Sequence, residues 1–336
     1  MYYLAKKIKE TDYILGSSRI KCIEKNLLSR DKLERMSSAK SLEDALKLLG
    51  EFGWPEVARP TMAAVEEILT NRRSEAFTLV RSLMQDKQLA DIFLIKYDYH
   101  NLKTLLKSEV TGENPDGMAI DSGVFPWRRL KVMFQEDKLK DMSKNMAGSI
   151  AEGRDVLART QDPLLLDLIL DKAMYADMLE IADSFDSGFL KGYVVLMIDS
   201  VNLRAYVRSQ RMGKGPEVLR YALIPGGSVS ISRLLGEVSA DMIENVFYIS
   251  PLAAAAQTGA QALKGETSLY AMDTACDNIV LRYLKKAKYV AFGAEPLIGY
   301  MAAIEAELTS VRTVIAGLMA GLSAETITER LRETYV

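Results

Sequence analysis

The chain has 336 residues, with 43 Lys and Arg against 45 Asp and Glu, one His and two Cys. At 49% hydrophobic and 26% charged residues it can bury a sizeable core, and at about 150 residues per domain its length predicts two or three compact units. A net charge of −2 lacks the basic excess that phosphate neutralisation demands, so no nucleic-acid partner is expected. His100, Cys22 and Cys276 are too few for a closed zinc site, which takes four ligands. Any Ser-His-Asp or Cys-His mechanism would have to use His100. The two cysteines form no disulfide framework and fit a reducing cytosol. Met1-Tyr2-Tyr3-Leu4-Ala5-Lys6-Lys7 has no signal-peptide core, and the longest apolar run, 314–322, falls short of the ~20 residues that span a bilayer. A soluble protein, able to sit against a membrane, is the expectation.

Helix formers dominate, punctuated by nine prolines. Arg72-Arg73 reads as solvated surface, or as a face for another protein. Ile92, Ile95, Tyr99, Leu102 and Leu106 then step 3, 4, 3, 4, which predicts a helix with one buried stripe. His100 lies one place after a stripe position and reads as structural. Thr111-Gly112-Glu113-Asn114-Pro115-Asp116-Gly117 combines Gly with Pro and predicts a joint. Trp127-Arg128-Arg129-Leu130-Lys131 is a second basic cluster, compensated by nearby acids. Asp162, Asp167 and Asp171 sit in an apolar Leu/Ile helix, without the D-D-x-x-D-like cluster of a magnesium-dependent enzyme.

Tyr193, Leu196, Ser200, Leu203 and Val207 repeat the stripe, and Met301, Ile304, Leu308, Val311 and Ile315 repeat it again, roughly a hundred residues apart each time. The polar columns follow. Asp98, Asp199 and Glu307 form an acid column, Asn101, Asn202 and Ser310 a second, and Lys103, Arg204 and Arg312 a base column. Asp171-Lys172-Ala173-Met174 likewise parallels Asp273-Thr274-Ala275-Cys276. A further joint is predicted at Gly213-Lys214-Gly215-Pro216. The simplest account is an all-α protein of three similar helical units, 1–115, 116–219 and 220–336, able to close around a pseudo-threefold axis.

At ~100° per residue, the acid and the base lie on opposite flanks of each stripe. Two readings of these six charges stay open. They are solvated helix edges, or they are interface residues, with the base of one unit meeting the acid of the next or lining a central cavity.

Reactive chemistry is sparse. Gly213-Lys214 belongs to no G-x-x-x-x-G-K-[ST] loop, and Leu223-Ile224-Pro225-Gly226-Gly227-Ser228-Val229-Ser230 reads as a turn between helices rather than an anion site. Pro251-Leu252-Ala253-Ala254-Ala255-Ala256 predicts a closely packed helix, and Lys285-Lys286-Ala287-Lys288 a further basic surface. No catalytic residue, metal, cofactor or small-molecule substrate is expected.

Several segments together resemble a known family. They are Tyr13-Ile14-Leu15-Gly16-Ser17-Ser18-Arg19-Ile20, the Asp98 and Asp199 repeats, Leu223-Ile224-Pro225-Gly226-Gly227, and Phe292-Gly293-Ala294-Glu295-Pro296-Leu297-Ile298-Gly299-Tyr300 with Glu305-Ala306-Glu307. The stretch from Arg312 to Ile327 and Arg330-Leu331-Arg332-Glu333-Thr334-Tyr335-Val336 complete the set. In order and spacing they resemble the C subunits of V-type (A-type) rotary ATPases, similar to the d subunit of the vacuolar ATPase. The resemblance implies a funnel-shaped, all-helical, non-catalytic protein, peripheral on the cytoplasmic face of the membrane. It implies a socket for the central-stalk subunits that rests on the membrane proteolipid ring, serving ion transport or ATP synthesis. Ser310 departs from the Asn column, so any contact that Asn makes must be made differently in the third copy. The alternative is a generic α-helical scaffold or adaptor that binds a protein partner on a concave surface.

Overall fold

The computed structural model describes residues 5–57, 60–213, 216–235 and 239–336. Its helices are α1 (Ile14–Ile23), α2 (Arg30–Ser37), α3 (Leu42–Glu51), α4 (Met62–Leu83), α5 (Gln88–Thr111), α6 (Trp127–Gln135), α7 (Lys144–Thr160) and α8 (Pro163–Asp183). They continue as α9 (Gly188–Arg211), α10 (Pro216–Ala222), α11 (Ile231–Leu234), α12 (Ala240–Phe247), α13 (Ala253–Lys264), α14 (Leu269–Lys285), α15 (Glu295–Met319) and α16 (Ala324–Arg330). The described residues contain no strand, only an isolated bridge between Lys6 and Phe185. The all-helical class is as the periodicity predicts.

Local chemistry sets many of the boundaries. The side chains of Ser41, Thr61, Ser143, Ser187, Ser239 and Ser323 each accept an N–H of the first turn of the helix they precede. Asp162 does the same for α8, with Pro163 at its first position. At the first expected joint, α5 ends on Gly112 at φ 72°, a conformation glycine adopts without strain. At the second, α9 gives way to Gly213 at φ 62°, while Lys214 and Gly215 lie outside the described residues. The cut expected between 219 and 220 falls inside α10.

The chain forms two compact units. One comprises Asp91–Cys276 with Met1–Lys7, of which residues 5–7 are described. In it α8 packs on α7 and α9, and α13 on α9 and α12. The other comprises Ile8–Ala90 with Asp277–Val336 and is built around α15, which packs on α1, α2, α3, α4 and α16. All fifteen stripe positions predicted from the sequence are buried, on α5, α9 and α15. Helical spacing thus predicts which face of each long helix leaves water. No helix among the described residues is long and apolar enough to cross a membrane.

Candidate functional site

The stripe of α5 carries Asp98 into the interior, where it is fully buried. A buried carboxylate needs donors, and a helix interior has no free N–H to give. Asp98 takes them from the segment after its own helix, accepting Val124 N–H at 2.8 Å and Phe125 N–H at 3.2 Å. One turn on, Asn101 donates to Ile120 O and accepts from Ile120 N–H, both at 2.8 Å. Together they fold 120–125 back on α5 and fix where α6 begins.

The second copy repeats these backbone contacts and adds a hydroxyl. Asp199 on α9 accepts Ser228 N–H and Val229 N–H, each at 3.1 Å, and the Ser228 hydroxyl at 2.5 Å. Asn202 donates to Ile224 O at 2.8 Å and accepts Ile224 N–H at 2.7 Å. Both held segments carry a glycine beneath the carboxylate. A Cβ at Gly123 would collide with Asp98 Oδ1, and one at Gly227 with Asp199 Oδ1. The Gly-rich stretch is therefore the turn expected from its composition, and its second glycine makes room for an acid.

The third copy finds its segment at the other end of the chain. Glu307 on α15 accepts Leu28 N–H at 2.7 Å, and Arg72 Nη2 lies 3.5 Å from its other oxygen. Ser310 bonds back to Ala306 O of its own helix at 2.9 Å, and a cavity of about 10 Å³ lined by Glu307, Ser310 and Leu28 lies beside it. Burial pushes the Glu307 carboxyl above its ordinary range, opposed by Arg72 and by Leu28 N–H. Phe125, Val229 and Leu28 each precede by two residues a helix whose N-cap residue makes no side-chain cap, α6, α11 and α2, although Asp121 accepts the first N–H of α6 from Trp127 at 2.8 Å. The acid column supplies negative charge near those helix starts.

The base column pairs with other acids. Lys103 lies 2.6 Å from Asp171 on α8, and Arg204 Nε lies 3.3 Å from Asp273 Oδ1 on α14. Arg312 grips Glu66 on α4 through two bonds of 2.6 and 2.7 Å, which holds the Glu66 carboxyl below its usual range. One turn further, Lys107 reaches Asp167, and Arg208 reaches Asp273 again. The structure thus joins two correspondences that the sequence shows separately, the base column and the Asp171/Asp273 parallel. Glu66 escaped notice because it stands 246 positions from Arg312. Asp177 was missed as well. It is buried and accepts from Tyr99 Oη, Ser143 Oγ and Asn145 Nδ2 at 2.6–2.8 Å.

The remaining candidates have structural partners. His100 is exposed, with Nε2 3.1 Å from Met118 O. Cys22 is exposed and Cys276 buried, and the described residues contain no group of three or more His, Cys, Asp or Glu able to hold a metal. Lys131 pairs with Asp116, Arg129 with Asp141 and Arg73 with Glu305. Lys285 and Lys288 donate to Thr334 O and Tyr335 O. Ala255, Ala256 and Gly259 are buried on α13, Gly259 against Val207 and Met272.

Comparison with known proteins places this arrangement. Residues 17–330 match the ATP synthase (C/AC39) subunit family. The chain is 22% identical to the C subunit of the V-type sodium ATPase of Enterococcus hirae, over 93% of this chain and 95% of that protein. It is 24% identical to the C subunit of the A-type ATP synthase of Methanocaldococcus jannaschii, over 94% and 85%. It is 21% identical to the C subunit of the V-type ATP synthase of Thermus thermophilus, over 95% and 98%.

Two expectations follow from the geometry. Gly227→Ala forces Asp199 off its amides and should cost about 2–3 kcal/mol, whereas Gly117→Ala, with open space around it, should stay within about 0.5 kcal/mol. Equal losses in urea unfolding would contradict the clamp. The second concerns pH. Glu307, raised by burial, contributes stability that is present below about 4.5 and lost as pH rises through its folded value. Glu66, lowered by Arg312, contributes stability present above about 4.5 and lost as pH falls. Glu307→Gln should therefore gain on the parent as pH rises above about 4.5, and the deficit of Arg312→Gln against the parent should shrink as pH falls below about 4.5. Differences that do not vary with pH would contradict both assignments.

Proposed function

We propose a function from one premise: the chain belongs to the ATP synthase (C/AC39) subunit family. Its partners are accordingly other subunits of a rotary ATPase. Within that complex the chain acts as a non-catalytic socket of the central stalk. It receives the rotating shaft, rests on the membrane proteolipid ring at the cytoplasmic face, and couples the two during ATP-driven ion transport or ATP synthesis. The observation that carries this reading is the match over 17–330, with relatives named as C subunits of rotary machines along nearly their whole lengths.

The repeated contacts support the accompanying architecture, three similar helical units (1–115, 116–219 and 220–336) in a pseudo-threefold funnel. Each unit in this proposal has a long helix whose acid holds a backbone amide of the next unit and whose base grips an acid on a long helix of that same neighbour. The third copy draws its held segment and its partner acid, Leu28 and Glu66, from the chain's beginning. With these bounds each base meets an acid of the next unit, Lys103 with Asp171, Arg204 with Asp273 and Arg312 with Glu66, so the flanking charges act as ties between units. A coupler transmits torque, which asks for close-packed, cross-tied helices rather than a reactive pocket.

Reconstitution tests the proposal. Catalytic head, stalk and membrane sector should couple ATP hydrolysis to ion transport only when this chain is added. The isolated chain should hydrolyse no ATP and show no saturable nucleotide binding at millimolar concentration. Coupling without the chain would overturn the socket. A saturable calorimetric signal lost on changing 225–228 or 213–215 would overturn its non-catalytic character.

A further inference from the structure

The surface shared by α1 and the segment leading into α15 carries features that none of the clamps or ion pairs described above uses. Ser17 Oγ donates to Gly293 O at 2.9 Å and accepts Gly293 N–H at 3.2 Å, which pins the two together. Gly16 permits the close approach, since a Cβ there would meet the Leu297 side chain and Leu83 O at 3.3 Å. Gly16, Ser17 and Ile20 form the buried side of α1. Away from it, Ile14 and Leu15 are 45% and 76% exposed, and beyond the pin Tyr289 and Phe292 are 90% and 45% exposed. Large apolar side chains grouped in water mark a contact surface.

The segments that carry them are basic. Within 14–26 and 285–294 stand Arg19, Lys21, Lys25, Lys285, Lys286 and Lys288 against one acid, Glu24. Lys285 and Lys288 are half-buried on Thr334 O and Tyr335 O, and Asp12, Asp86 and Glu295 lie toward Tyr13. The whole chain, by contrast, carries a net charge of −2. Five of these six bases are lysines. Their ammonium groups are compact charges on flexible stems, which suit a fluid array of phosphates better than the fixed carboxylates of one protein partner. Tyr and Phe among lysines, beside a short helix with apolar residues on its outer side, match the chemistry of a headgroup layer.

We propose that this face binds anionic phospholipid headgroups. Ile14, Leu15, Tyr289 and Phe292 enter the headgroup boundary, and the exposed Arg19, Lys25 and Lys286 meet the phosphates above it. The inference goes beyond the socket and does not depend on it, because the isolated chain needs neither shaft nor ring to bind a bilayer.

The test uses the full chain labelled with an environment-sensitive dye at the exposed Cys22, Cys276 being buried. Vesicles of phosphatidylcholine, with and without phosphatidylglycerol, are compared by dye emission and co-sedimentation. Binding should require the anionic lipid and weaken with added salt. It should fall roughly tenfold or more for Arg19→Glu/Lys25→Glu and for Tyr289→Ser/Phe292→Ser, and persist in Lys47→Glu. These positions are exposed, and unchanged melting curves separate lost binding from lost folding. Equal binding to both vesicles, or parent-like binding by both double variants, would overturn the proposal. So would variants that ignore lipid and lose only capture by the purified proteolipid ring, which would assign the face to protein. Failure of reconstitution with lipid binding intact would count against the socket alone.

Discussion

A carboxylate withdrawn from water must be met by hydrogen-bond donors, and on the inner side of a long helix its own backbone has none to spare. Asp98, Asp199 and Glu307 are in that position. The amides they find belong to backbone just ahead of α6, α11 and α2, helices whose own N-cap residues make no side-chain cap. One exchange meets two needs: the acid gains donors, and a connecting segment that would otherwise be loose gains a fixed path. The glycines at 123 and 227 follow from it, and so do the bidentate amides of Asn101 and Asn202.

The third copy shows which parts of the device are dispensable. Glu307 has one more methylene than Asp and accepts Leu28 N–H, while Ser310 cannot span to the backbone as Asn does. Arg72 comes near the carboxylate instead, with its guanidinium over the Trp54 ring at 5.1 Å. Arg72 thus adds a second partner to the acid, while Ser310 bonds only within its own helix and clamps no connecting backbone. A clamp of charge and aromatic packing depends on pH in a way that neutral amide clamps do not.

Much of this was legible in the residues, and the limits have physical causes. The stripes could be read because burial on one helical face leaves a 3, 4, 3, 4 signature, which α5, α9 and α15 obey throughout. The polar columns could be aligned, but their roles could not. A helical wheel places Asp98 at the edge of the stripe, and the returning segment 120–125 that meets it leaves no mark on the wheel. Lys103 and Arg204 could have been matched to Asp171 and Asp273, since both parallels were visible. Glu66 and Leu28 left no such trace, because their partners lie near the opposite end of the chain. The turn at Pro225-Gly226-Gly227 was readable from composition, whereas the acid that explains its second glycine was not.

Clamps and cross-ties of this kind place stiffness in the connections as well as in the helices, as the proposed mechanical role requires. Amide hydrogen exchange on the full chain is the most direct measurement of the central claim, that buried acids and amides hold these segments. Ile120, Val124, Phe125, Ile224, Ser228 and Val229 lie outside the regular helices, yet their N–H groups are bonded to the clamps. The account predicts that they exchange as slowly as the core amides of α5 and α9. Exchange at the rate of an exposed loop, with α5 and α9 still protected, would contradict it.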